Sequence, residues 1–136
     1  MFHMFAAVFA GHGGLSSWTS QSQVLHAVAD TPEGPFVPTK DGPKGDGIIV
    51  APEAHNPTVV RANDGTYLLF SIGHSPLLAS RSLHGPWEKA ALPSCNNPAP
   101  CVVQGRDDIY VFCHGVPSFR TRWCTAVIRV LPHRGA

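Results

Sequence analysis

Apolar residues in this chain come in short runs, broken every few positions by Gly, Pro, Asn or Asp, and no window of ten or more carries a helical period. The densest runs lie between His55 and Gly73, where the sequence predicts two strands, over 58–62 and 66–72, joined by a turn at Asn63-Asp64-Gly65. Asp-Gly between apolar runs favours a hairpin because Gly takes positive φ without a Cβ clash, and the extra Asn suits a turn closed by a glycine bulge. Tyr67, Leu69 and Ser71 fall on one face and Leu68, Phe70 and Ile72 on the other. Two largely apolar faces describe a strand buried between neighbouring sheets. Pro57 has no N–H to give a ladder and fits the entry to a strand better than its middle.

The pattern recurs. The Asn-Pro pair steps 41 residues, from Asn56 to Asn97, and the tyrosine 43, from Tyr67 to Tyr110. A second phrase runs from Leu25 to Gly34-Pro35-Phe36 and returns from Leu78 to Gly85-Pro86-Trp87. Each is a strand, then Gly-Pro-aromatic, then a short final strand, over 36–39 and 87–90. The first apolar run, 2–10, takes the place that 66–72 holds later. A repeat of roughly 40–50 residues with four short strands is the pattern of a propeller blade. The expected fold is all-β, a partial β-propeller with about one complete four-stranded blade flanked by two partial blades. Residues 1–115 are expected to form this propeller domain, and 116–136 a poorly matching C-terminal strand and tail, with one more strand over 124–130. A propeller needs about four blades to close, so the chain is expected to be a fragment of a longer one. The alternative is self-association through open blade edges.

Composition narrows the functional classes. Of the 136 residues, 43% are hydrophobic and 14% charged, which describes a globular chain rather than a disordered one. Net charge is +1, with no basic cluster beyond Arg120 and Arg122, so neither nucleic acid nor an acidic membrane surface is an expected partner. No apolar run is long enough for a membrane span, and residues 1–10 lack a basic leader and read as a strand rather than a signal peptide. The four cysteines include no C-x-x-C, so no zinc site is expected despite eight histidines, and no metal or cofactor is implied. Cys95 and Cys101 could close a small loop by a disulfide or stand as thiols. His26, His84 and His114 read as structural, and 40–47 as an exposed polar loop without evident chemistry.

One loop, 11–23, is long and rich in Gly and Ser, and offers His12, Trp18, Thr19 and Gln21. Trp18 could be a platform for a sugar ring, with hydroxyl and amide groups beside it, or a plug between blades.

The run Gly14-Leu15-Ser16-Ser17-Trp18-Thr19, followed by His26 to Asp30 and Gly34-Pro35-Phe36, resembles five-bladed propellers of the glycoside hydrolase family 43 type. So do His55-Asn56-Pro57-Thr58, Asp64 to Phe70, Ser82 to Trp87 and Asn97 to Pro100. The resemblance covers roughly residues 2–115, within the wider arabinanase, levansucrase and invertase superfamily. It implies a glycan or small sugar at one mouth of a central channel, and an Asp base, a tuning Asp and a Glu acid from different blades. Glycoside cleavage needs two such carboxyl groups across the bond. Where the family often has Asp-Pro, this chain reads Asn56-Pro57 and Asn97-Pro98, and an amide cannot take up a proton in that role. Glu53 is the one candidate catalytic carboxylate, an exposed loop Glu being the plainer reading; Asp107 and Asp108 read as turn residues. His12, Trp18, His55, Asn56 and Asn97 are the candidate sugar ligands, with backbone capping as the other use of an Asn beside Pro. The expected function is a carbohydrate-active propeller, a hydrolase fragment acting on or binding glycans, extracellular in its parent. A catalytically inactive sugar binder and a kelch- or WD-like interaction propeller are the alternatives.

Overall fold

A computed structural model describes residues 1–9, 11, 17–50, 52–73, 77–90, 96–102, 108–114 and 124–129. Apart from one helical turn, α1 (Trp18–Gln21), the described elements are strands in three antiparallel sheets. The first sheet pairs β1 (Phe2–Phe9) with β2 (Ser22–Ala29), whose far side carries two short strands end to end, β3 (Val37–Pro38) and β4 (Ile48–Val50). The second is a four-stranded meander of β5 (Ala54–Arg61), β6 (Tyr67–Gly73), β7 (Leu77–Ser80) and β8 (Glu88–Lys89). The third holds β9 (Asn96–Val102), β10 (Asp108–His114) and β11 (Cys124–Arg129), with β10 in the middle. Three antiparallel sheets bear out the all-β expectation.

The central hairpin forms as its turn chemistry dictates. Gly65 sits at φ +85° and its N–H donates to the Ala62 carbonyl at 2.9 Å. The Asp64 carboxylate accepts from the Thr66 N–H at 2.9 Å and the Thr66 hydroxyl at 2.8 Å, which pins the turn. From there β6 runs between two cores. Leu68 and Phe70 join Leu77 against Ile109 and Val111 of the third sheet, while Leu69 joins Leu78, Val24, Val50 and Ala54 towards the first. Burial on both faces is what its unbroken apolar sequence requires.

The second phrase repeats in hydrogen bonds as well as letters, at a constant step of 51 residues. Gly34 N–H donates to the Thr31 carbonyl and Gly85 N–H to that of Ser82; Thr39 N–H donates to His26 and Ala90 N–H to Leu77. The ladders agree, since β2 faces β3 through Val28 and Val37 and β7 faces β8 through Ala79 and Glu88. Through the same frame His3, Phe5 and His26 stand where Leu68, Phe70 and Leu77 stand in the second sheet.

Register also corrects two expectations. Strands were expected to begin after the Asn-Pro pairs, yet β5 and β9 run through them on β-bulges. Asn56 and Pro57 together oppose Ser71, and Asn97 and Pro98 together oppose Cys113. A bulge leaves one residue out of the ladder, so a missing N–H costs nothing there, and Asn tolerates the left-handed φ of +50° seen at Asn56. The tyrosines are not counterparts either. Tyr110 lies opposite Cys101 as Leu68 lies opposite Val60, so Tyr110 takes the place of Leu68. Of the two states open to Cys101, bridge or thiol, it is an exposed free thiol, and Cys95 lies outside the described residues.

Candidate functional site

The sequence-predicted site residues fall in two groups. Glu53, His55 and Asn56 follow one another into β5, with Glu53 half-buried at φ +66° and Asn56 exposed. His55 is only 3% exposed, and its Nδ1 lies 3.4 Å from the buried Ser22 hydroxyl of the first sheet. Burial alone holds its pKa below the ordinary value. Asn97 occupies the matching bulge in β9, and Trp18 opens α1, but their side chains lie outside the described residues, as do His12 and Asp107 entirely.

A different set of residues forms the densest polar cluster among those described. Loop 40–47, expected to be exposed and inert, turns Asp41 inward. Its Oδ2 takes a hydrogen bond of 2.6 Å from His26 Nδ1 and another of 3.1 Å from His84 Nδ1. The loop is fixed by backbone bonds, His26 N–H to the Gly47 carbonyl and Gly47 N–H to that of Asp41. Gly47 lies at φ +79°, and a Cβ there would meet the His26 carbonyl at 2.9 Å, so glycine permits the close approach. On its other side His26 Nε2 lies 2.9 Å from His3 Nδ1. Phe5 stacks on the His26 ring at 4.4 Å between centroids and 2° between planes.

These contacts fix protonation. An ionised carboxylate only accepts, so His26 carries its hydrogen on Nδ1, its Nε2 accepts from His3 Nδ1–H, and the His3 Nε2 lone pair ends the chain. His26 is wholly buried, and burial, aided by the neighbouring His3 and His84, pulls its pKa down more than the hydrogen bond and charge of Asp41 pull it up. Burial and the neighbouring His84 likewise lower His3. At Asp41 burial works upward, but hydrogen bonds from His26, Thr39 and His84 more than offset it and hold the carboxyl below its usual range. The result is a carboxylate beside two imidazoles, His3 and His26, whose neutral forms are favoured. His26, Asp41 and His84 each offer one ligand atom, all within 4.8 Å of one another, and are the described residues able to hold a metal.

Beside this cluster a cleft of about 490 Å³ opens between β1 and β5. His3, Phe5, Thr58, Arg61, Tyr67 and Leu83 line it, and the Arg61 guanidinium lies over the Tyr67 ring at 5.7 Å. Aromatic faces beside a hydroxyl, a guanidinium and an imidazole can take up a small polar ring.

Sequence reasoning missed the cluster. Asp41 lies 15 residues from His26 and 43 from His84, a spacing that matches no ligand motif. The available signal was a histidine at a repeat position where the companion sheet has leucine. Compared with protein-family models, curated proteins and solved structures, the chain finds no match in any of the three.

Proposed function

We propose that this chain is part of a carbohydrate-active five-bladed propeller of the glycoside hydrolase family 43 type, and that it binds a glycan or small sugar rather than cleaving one. The blade reading rests on the hydrogen-bond repeat at 51 residues and on sheets packed side by side around two apolar interfaces. The observation that carries the function is the cleft between β1 and β5, where Tyr67 and Phe5 supply ring faces and Thr58, Arg61 and His3 supply hydrogen bonds. Binding is favoured over cleavage because Asn56 and Asn97 stand where the resemblance calls for ionisable Asp. The outer edge of β1 is unpaired among the described residues, and supplies a route to association with further blades or with a second copy.

Isothermal titration of the full chain with arabino-, xylo- and fructo-oligosaccharides tests the reading. Binding of at least one series is expected, weakened about tenfold or more by Tyr67→Ala, a loss of roughly 1.4 kcal/mol. No binding of any series, or affinity untouched by Tyr67→Ala, overturns it.

A further inference from the structure

We propose that His26, Asp41 and His84 form a site for a divalent transition-metal ion of the zinc class. The proposal is independent of the glycan reading. The three ligands come from three separate segments, β2, the loop after β3 and the turn after β7, and converge with one donor atom each. Both imidazoles present Nδ1 to the same carboxylate oxygen, at 2.6 and 3.1 Å. In a tetrahedral zinc site with bonds of about 2.0–2.1 Å, donor atoms stand about 3.3 Å apart. The His84 contact is already near that spacing, and the His26 contact reaches it on opening by roughly 0.7 Å.

The surroundings suit a metal-bound imidazole. A ligating histidine has its second nitrogen held by an outer partner that fixes the ring. His26 has one in His3, and the parallel Phe5 ring holds its plane. On metal binding the Nδ1 hydrogens of His26 and His84 move to Nε2, and the His3 hydrogen moves from Nδ1 to Nε2 in step, so that His3 Nδ1 accepts from His26 Nε2–H. The ion replaces two hydrogen bonds at one carboxylate with three coordinate bonds, and adds two positive charges beside it. The His84 side chain is 50% exposed and that of Asp41 14%, so the ion enters from solvent on this side, where water completes the fourth position. Two nitrogens and one carboxylate favour zinc, nickel or copper over calcium and magnesium, which prefer all-oxygen shells. The second sheet builds the same backbone with Leu77 in place of His26, so the frame itself does not call for an imidazole.

The test is titration of the chelator-treated full chain with Zn²⁺ alone, with Mg²⁺ as comparator, and a parallel Co²⁺ titration followed in the visible. Expected are one Zn²⁺ per chain, a raised melting temperature with Zn²⁺ and none with Mg²⁺, and Co²⁺ bands free of thiolate charge transfer. His84→Ala and Asp41→Asn should each weaken Zn²⁺ at least about tenfold, and His3→Gln should weaken it by a smaller factor. His84 is exposed, so its variant keeps the fold, which the far-ultraviolet circular dichroism verifies. Absence of Zn²⁺ binding by the folded chain overturns the proposal. So does binding that His84→Ala leaves within twofold, or a thiolate band that moves the ion to cysteine.

Discussion

At His26 and at Leu77, 51 residues apart, one backbone frame holds two kinds of interior. In the second sheet Leu68, Phe70 and Leu77 meet Ile109 and Val111, and the only demand is that volume be filled. In the first sheet the matching places hold His3, Phe5 and His26, so the ring of Phe5 is kept while both leucines become imidazoles. A buried imidazole must find partners for two nitrogens. His3 satisfies one and Asp41 the other, at the expense of folding a polar loop back over the sheet. The difference teaches that the ladder specifies where a side chain goes and leaves its chemistry open, provided the donors and acceptors balance.

The largest effect should come from moving one interior into the other. Leu77→His sets an imidazole among Leu68, Phe70 and Val111 with no carboxylate in the cluster, and should cost at least about 3 kcal/mol in urea unfolding. A cost below about 1 kcal/mol would break the comparison. The reverse change, His26→Leu, strips Asp41 of its shortest hydrogen bond and should cost about 2 kcal/mol. Adding Asp41→Ala should restore most of that loss, and a strictly additive double variant would deny the coupling.

Acid should act on the interface between the first and second sheets. His55 is buried with a lowered pKa, so the unfolded chain binds its proton more tightly than the folded one. Its contribution is fully present above the ordinary histidine value of about 6.5 and is lost as pH falls below it. A series of urea midpoints against pH should show that slope, and His55→Asn should reduce it, leaving the shares of His3 and His26. Asp64 acts at lower pH. Burial raises its pKa, but bonds from Thr66 and the charge of Arg81 outweigh it, so its share persists above the usual carboxyl range and fades only in stronger acid. Smallest of all, Arg81→Ala removes a 3.6 Å ion pair whose arginine is 60% exposed, and should shift stability by under about 0.5 kcal/mol.

What could be read from the sequence follows from the range of the forces involved. The hairpin at Asp64-Gly65, the two apolar faces of 67–72 and the Gly-Pro-aromatic phrase are local, and each residue carries its own reason. The bulges were visible as Asn-Pro pairs but not as bulges, because only the facing strand reveals that two residues oppose one. Aligning the second phrase on Leu25 and Leu78 also hid the histidine cluster. The hydrogen bonds place Ala27 with Leu78, and only that register sets His26 against Leu77. Asp41 gave no sign at all, since an Asp among Gly, Pro and Lys reads as a turn until tertiary structure places it over an imidazole.

The fastening of loop 40–47 has a kinetic consequence. Thr39 N–H donates to the His26 carbonyl, His26 N–H to that of Gly47, and Gly47 N–H to that of Asp41, so one opening of the loop breaks the last two bonds and loosens the first. At high pH, where exchange outpaces reclosing, the amides of His26 and Gly47 therefore share a single rate of deuterium uptake, set by how often the loop lifts. That rate is also how often Asp41 leaves its histidines, which makes the isotope a clock for the cluster.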